Sequence, residues 1–275
     1  VTVGPFVHTL GKSIVARGLD AFQEGLQRGG IGGLVASSSY SPQIEEEQIK
    51  SLVARGADAL WLIGPDRPPQ SYTFLEARKI PFVVAWTFDA AQTRRSIGFD
   101  NRRAMKELTE QVLKLGHRKL TVISAIKAGN DRAQERCDGV MAAVAAHGLD
   151  PDKVRVIETP YSIANGAEAF ETLMLAEDRP TAVLCGNDVL AAGALVQARR
   201  MGIRVPQDVS ITGFDDIEIA EIVTPALTTV HVPHRNMGRG AARKLLAMCN
   251  GEDPGPNTEL DANIAWRESL GPAPA

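Results

Sequence analysis

The sequence predicts an α/β protein with two doubly wound parallel sheets, each covered by helices on both faces. Short runs of consecutive apolar residues alternate with longer amphipathic segments, and this alternation occurs twice, before and after about residue 100. Of the 275 residues, 44% are hydrophobic and 23% are charged, which is the balance of an ordinary globular protein. The length allows two compact parts, each with its own core.

The first half alternates five strand-like runs with three helical segments. A stripe of apolar side chains predicts a helix near 12–28, and another helix is predicted near 69–79. Between them, Ser41-Pro42 followed by three glutamates marks a helix start, because proline suits the first turn and carboxylates suit the positive end of the helix dipole. The strand-like runs are VTVGPF (1–6), LVASSS (34–39), DALWLIG (58–64), IPFVVAW (80–86) and SIGFD (96–100).

The second half repeats this scheme with four strands and four helices. Gly116 marks the end of its first helix, since glycine commonly follows the last helical residue. The predicted helices are 101–115, 131–147, 164–177 and 188–201, and the strands are KLTVISA (119–125), VRVIE (154–158), TAVLCG (181–186) and VSITGFD (209–215).

Charge and motif content exclude several function classes. A net charge of −3 and a pI near 6.0 do not favour nucleic-acid binding by this chain itself. No phosphate-loop, nucleophile-elbow or zinc-protease signature occurs, and RGGIGG (28–33) ends a helix and precedes a strand, the reverse of a dinucleotide fingerprint. Three widely spaced cysteines suggest no metal site, and no apolar run approaches the ~18 residues of a membrane span. We therefore expect no enzyme, cofactor, metal or membrane contact, and a cytoplasmic location.

Ligands of open parallel sheets bind at the carboxyl ends of the strands. Tyr161 lies in the loop TPYSIANG, where an aromatic side chain suggests a lid or an interface. In Asn187-Asp188, we expect Asp188 to cap the following helix and Asn187 to face a ligand. The other candidates at strand ends are His8, Thr9, Ser38, Ser39, Trp86, Phe99, Asp100, Lys127, Phe214 and Asp215.

GFDD (213–216) ends an apolar run with two adjacent carboxylates. Because successive side chains of a strand point to opposite faces, Asp215 and Asp216 are expected to have different roles. One of them is predicted to face a ligand, and the other to have a structural role.

Several longer motifs resemble the effector-binding core of lactose-repressor-type (LacI/GalR) transcriptional regulators. They are IGFDNRRAM (97–105), LKLGHRKLTVIS (113–124), Arg136-x-x-Gly139, CGNDVLAAGAL (185–195), GIRVPQDVSITGFDDIEIA (202–220) and PALTTVHVPHRNMGRGA (225–241). The resemblance implies a periplasmic-binding-protein-like fold of type I, with a ligand cleft between two subdomains. The implied N-terminal subdomain is 1–99 and 232–253, and the C-terminal subdomain is 100–231 and 254–275.

The resemblance also implies roles for individual residues. Arg136 and Asp215 fall on positions that bind effector hydroxyls, Asn187 and Phe99 on ligand-lining positions, and Tyr161 on an aromatic lid position. Trp86 stands where aspartate is common, and Thr9 begins a four-residue departure from the usual N-P-F-F. The family implies a homodimer and a small-molecule, sugar-like effector. A helix-turn-helix domain normally precedes the core and is absent here, so we expect operator DNA to be bound only through that missing domain.

Two other functions compete with a regulator. A free periplasmic sugar-binding protein of a transporter shares the fold, and a signal peptide upstream would favour it. An enzyme on the same scaffold is the third alternative, since a fold does not fix a function.

Overall fold

The computed structural model describes residues 2–7, 13–28, 32–33, 36–37 and 41–274. The chain forms two compact units. Unit 1 comprises Val1–Asp100, Gly129–Asp131 and Pro233–Asp261, and unit 2 comprises Asn101–Ala128, Arg132–Val232 and Ala262–Ala275. The α/β fold class predicted from the sequence is confirmed.

Unit 1 is built on a parallel sheet in the order β12-β6-β5-β4-β1-β2, with β3 also paired to β1. Its central strand β4 is buried at every position, as its unbroken apolar run requires. The strands are β1 (Thr2–Val7), β2 (Gly32–Gly33), β3 (Ala36–Ser37), β4 (Ala59–Ile63), β5 (Phe82–Ala85), β6 (Ser96–Gly98) and β12 (Thr258–Glu259). The helices are α1 (Ser13–Arg28), α2 (Pro42–Ala54), α3 (Pro69–Ala77) and α9 (His234–Cys249).

Unit 2 contains a four-stranded parallel sheet in the order β10-β9-β7-β8 and an antiparallel pair, β11 and β13. The strands are β7 (Leu120–Ser124), β8 (Arg155–Glu158), β9 (Ala182–Cys185), β10 (Ser210–Thr212), β11 (Thr229–His231) and β13 (Asn263–Ala265). The helices are α4 (Asn101–Lys114), α5 (Asp131–Ala146), α6 (Ile163–Leu175), α7 (Asp188–Arg200) and α8 (Ile219–Ile222), with a short 3₁₀ turn at Pro151–Lys153.

Side-chain caps determine where several helices start. The Ser41 hydroxyl accepts a hydrogen bond from the Ile44 amide at the start of α2, and Ser162 does the same for Asn165 at α6. The predicted start of α2 at Ser41-Pro42 is therefore confirmed. Among the described residues, no helix is both long and apolar enough to cross a membrane.

Close helix pairs complete each unit. In unit 1, a side chain at Gly238 would collide with the backbone of Gly18, so α1 and α9 meet at near-backbone contact. In unit 2, α6 and α7 meet in the same way at Gly166 and Gly193. The second of these pairs includes α7, whose start carries the candidate residue Asn187.

Candidate functional site

Arg136 is the centre of a buried polar cluster in unit 2. It lies on α5, is 5% exposed, and is held by two hydrogen bonds. Its Nε donates to Asn101 Oδ1 at the start of α4 (2.9 Å), and its Nη1 donates to the Gly186 carbonyl just after β9 (2.7 Å). The guanidinium is therefore fixed by two separate elements of the unit.

The remaining side of this guanidinium contacts the GFDD segment. The carbon Cζ of Arg136 lies 3.8 Å from the centre of the Phe214 ring, a cation–π arrangement. Its Nη2 is 3.5 Å from Asp215 Oδ1, at the outer limit of a hydrogen bond. This ion pair is loose, so the guanidinium of Arg136 retains hydrogen-bonding capacity.

Asp215 is 1% exposed, and its backbone amide donates to the Val230 carbonyl. Burial raises the pKa of its carboxyl to about 6, although the positive charges of Arg136 and Arg132 act in the opposite direction. A carboxyl with this pKa gains or loses its proton within the physiological range.

Asp216 has entirely different partners. His231 Nδ1 lies 2.7 Å from one of its oxygens, and Arg267 Nη2 donates to the other at 2.7 Å. Partial burial opposes ionisation, but these hydrogen bonds hold the pKa of Asp216 below its ordinary value. Asp216 thus ties the segment after β10 to β11 and to the chain after β13.

The strand-alternation argument for separating these two carboxylates is wrong. Strand β10 ends at Thr212, and Asp215 and Asp216 have φ values of 103° and 55°. Left-handed backbone after the strand, and not the pleat, directs the two side chains apart.

The expected roles of Asn187 and Asp188 also need correction. Asn187 is the cap of α7, because its backbone is extended (φ −156°) and its Oδ1 accepts from the Leu190 amide at 2.9 Å. Asp188 instead accepts hydrogen bonds from the Thr229 hydroxyl (2.5 Å) and the Ile217 amide (2.8 Å). Both residue types cap helices, and the cap lies one residue earlier in the chain than expected. Capping uses only Asn187 Oδ1, and the buried Nδ2 has no partner among the described residues.

Trp86 and Phe99 belong to unit 1. Trp86 is 3% exposed, stacks 5.5 Å from Trp61, and its amide contacts Met237 Sδ at 3.3 Å. This placement favours a role in the core of unit 1. Phe99 directly follows β6 and is also buried.

Tyr161 is half-buried and packs against the hydrophobic core of unit 2, immediately before the capped start of α6. The candidates that lie outside the described residues are His8, Thr9, Ser38 and Ser39. Three of the predicted residues are thus linked through Arg136, which contacts Asp215 and the carbonyl of Gly186, the residue directly before Asn187.

Asn101 and Arg132 were not among the site residues predicted from the sequence. Both side chains are buried, Asn101 accepting from Arg136 and Arg132 acting electrostatically on Asp215. The spacing of Arg132 and Arg136, four residues apart on one helix, was the available signal.

Residues 109–270 match the family described as a periplasmic binding protein-like domain. The chain is 30% identical over 253 residues to the HTH-type transcriptional regulator GntR of Pseudomonas aeruginosa, covering 92% of this chain and 73% of that protein. It is 30% identical over 241 residues to the repressor CytR of Escherichia coli, covering 86% of this chain and 69% of that protein.

Two solved structures that resemble this chain are also those of transcriptional regulators. The transcription regulator GntR from Chromobacterium violaceum has a TM-score of 0.93 at 26% identity, covering 98% of this chain and 99% of that one. A LacI family regulator from Silicibacter pomeroyi has a TM-score of 0.88 at 27% identity, with the same coverage. These similar proteins are transcriptional regulators and not enzymes or free transport proteins. The chain belongs to the LacI/GalR family and forms the periplasmic-binding-protein-like, ligand-binding core of a transcriptional regulator.

Proposed function

We propose that this core binds a sugar or sugar derivative at Arg136, Asp215 and Asn187 and thereby controls operator binding by an attached DNA-binding domain. The observation that carries the proposal is the fixed guanidinium of Arg136. It is positioned by Asn101 and Gly186, yet it has only a loose contact with Asp215.

The chemistry of the cluster suits neighbouring hydroxyl groups. A guanidinium donates five N–H groups in a planar fork, and a carboxylate accepts up to four hydrogen bonds. Asn187 directly follows Gly186, to which Arg136 is bonded, and its buried Nδ2, which has no partner among the described residues, supplies a further donor. A ligand with several hydroxyls would satisfy all three side chains at once.

The other predicted contacts remain part of the proposal. The residues predicted to line the ligand are Phe99, Tyr161, Trp86, His8 and Thr9. Of these, Trp86 is the least favoured as a ligand contact, because it is buried and stacks on Trp61. The predicted subdomain boundaries likewise remain predictions.

Regulators of this family bind small-molecule effectors and DNA operators, generally as dimers. We infer that this protein acts in the cytoplasm as a homodimer whose affinity for DNA changes when the effector binds. In unit 2, Ile222 is 77% exposed and Trp266 is 54% exposed. Large apolar side chains at the surface favour a face that a partner copy covers.

A thermal-shift screen over neutral sugars, sugar acids and sugar phosphates tests this proposal. A ligand at 100 times its Kd should stabilise the chain by about 2.7 kcal/mol. The Asp215→Asn variant should show a clearly smaller shift at the same ligand concentration. The Asp208→Asn variant should keep the full shift, because Asp208 pairs with Arg204 at the surface. Failure of the whole panel, or an equal shift in Asp215→Asn, would count against the assigned site.

A further inference from the structure

Unit 1 contains a cavity of about 270 Å³ formed by residues of that unit alone. It lies where two neighbouring strands end, with Pro65 after β4 and the segment from Thr87 to Asp89 after β5. Carboxyl ends of parallel strands are the usual ligand position in such sheets. The volume is that of about nine liquid waters.

Arg94 supplies a cation to this cavity. Its guanidinium carbon lies 4.0 Å from the centre of the Tyr72 ring, and the side chain is half-buried. Within the described part of the chain, this guanidinium donates no hydrogen bond and forms no ion pair. By contrast, Arg67, whose guanidinium lies on the same tyrosine ring, pairs with Glu45 at 2.8 Å.

The ring beneath Arg94 is held rigidly. Tyr72 is 6% exposed, its hydroxyl donates to the Pro65 carbonyl (2.7 Å), and it accepts from Arg67 Nη1 (2.8 Å). Arg94 therefore rests on a fixed aromatic surface, so little side-chain entropy is lost when an anion binds to it.

The loop that carries Arg94 is also braced. Asn257 Nδ2 donates to the carbonyls of Asp89 (2.9 Å) and Arg94 (2.7 Å), and Asn257 Oδ1 accepts from the Ser96 amide (2.9 Å). The Asp89 carboxylate accepts from the Arg94 amide at 2.9 Å. The cavity wall is thus preorganised without a ligand.

Asp89 places a negative charge on the same cavity. Burial acts to raise the pKa of Asp89, but hydrogen bonds from Thr93, Arg94 and Ala91 together hold it below its ordinary value, so Asp89 is ionised at neutral pH. Its negative charge would repel a plain anion. A ligand must therefore present an acceptor to Arg94 and a donor to Asp89.

We propose that this cavity binds a small carboxylic acid that also carries a hydrogen-bond donor, as a hydroxy acid or an amino acid does. The ligand carboxylate would contact the Arg94 guanidinium, and its hydroxyl or ammonium group would donate to Asp89. Phe88 and Pro65 supply apolar walls for its carbon atoms, and Thr87 and Ser96 belong to the same lining. This site goes beyond the proposed effector function, since its lining includes none of the residues proposed to contact the effector.

Nuclear magnetic resonance on the ¹⁵N-labelled chain tests the site with defined probes. Lactate and serine carry both groups, propionate lacks the donor, and glycerol lacks the carboxylate. We expect lactate or serine to shift the signals of Arg94 Nε and of the Thr87 and Ser96 amides in a saturable way, and propionate and glycerol to act at least about ten-fold more weakly. A stronger response to lactate than to serine would indicate a hydroxy acid as the ligand, and the reverse would indicate an amino acid. The absence of any saturable response to both would overturn the proposal.

A pair of variants separates binding from folding. Arg94→Gln should weaken probe binding about ten-fold or more. Arg78→Gln is the matched control, because Arg78 also stacks on an aromatic ring, 5.2 Å from the Phe74 centroid, at an exposed position that does not line the cavity. If Arg94→Gln melts like the parent and binds the probe equally well, the site is wrongly assigned. The Asp215→Asn screen gives an independent outcome for the effector site.

Discussion

Asp215 and Asp216 are adjacent in the chain, yet their carboxylates lie in different surroundings. Asp215 lies 3.5 Å from Arg136, whereas Asp216 is bound by His231 and Arg267 at 2.7 Å each. The ion pair of Asp215 with Arg136 is long, whereas both oxygens of Asp216 are closely bound by groups of the fold.

Replacing Arg136 by lysine should weaken effector binding about 10- to 100-fold, although the charge is kept. Lysine has no planar fork, so it cannot contact Asn101, Gly186 and a ligand together. Isothermal titration calorimetry with a ligand found by the screen gives the affinity. Arg204→Lys, at an exposed surface pair, should bind like the parent.

Effector affinity should fall below pH 6. Asp215 has a pKa of about 6, and only its ionised form accepts hydrogen bonds through both oxygens. Below that pH, binding must displace a proton, so affinity should drop by up to about ten-fold per pH unit. Titrations at pH 5 and pH 7.5 would measure this change. If the affinity of Asp215→Asn falls with pH as steeply as that of the parent, a group other than Asp215 takes up the proton.

The sequence predicted the alternation of elements well, because apolar periodicity decides which segments are strands and which are helices. The helix predicted at 69–79 is observed as Pro69–Ala77, and the strand predicted at 119–125 as Leu120–Ser124. Positions just beyond a strand were less predictable. There, backbone dihedrals set side-chain direction, as the positive φ of Asp215 illustrates.

The site was predictable only in part for a related reason. Arg136, Asp215 and Asn187 were found because they stand in distinctive motifs. The choice between Asn187 and Asp188 as helix cap depends on a one-residue shift that periodicity does not resolve. The packing of Trp86 against Trp61 is a contact between distant segments, which no local pattern reveals.

Acid should destabilise the fold through His117. This buried imidazole bridges the Thr181 hydroxyl and the Gly271 carbonyl, each at 2.9 Å. Burial and the nearby Arg118 lower its pKa below the ordinary value of 6.5. The unfolded chain therefore takes up this proton more readily, and the free energy of unfolding should decrease as the pH falls below about 6.5. Urea unfolding at pH 7.5 and pH 5 measures this decrease, and it should be smaller in His117→Gln than in the parent. An equal decrease in both proteins would mean that another group causes the acid destabilisation.

Close packing of α6 and α7 should make Gly193→Ala costly. A methyl group there would collide with the Ile163 carbonyl and lie 2.7 Å from the Ala167 amide nitrogen. We expect a loss of about 1–3 kcal/mol in the free energy of unfolding. Gly56→Ala is the comparison, because its φ of +91° is strained but no other heavy atom lies within 4 Å. A smaller loss at Gly193 than at Gly56 would contradict the steric explanation.

The effector affinities of Asp215→Asn and Asp216→Asn test the central claim most directly. Calorimetry with the strongest stabiliser from the sugar, sugar-acid and sugar-phosphate panel supplies both values. Losing one charge-assisted hydrogen bond costs roughly 1.5–3 kcal/mol, so Asp215→Asn should bind about 10- to 100-fold more weakly. Asp216→Asn should retain affinity within about three-fold if it remains folded, because the two oxygens of its carboxylate are already bound by His231 and Arg267. Parent-like binding by Asp215→Asn together with loss of binding in a folded Asp216→Asn would contradict the account.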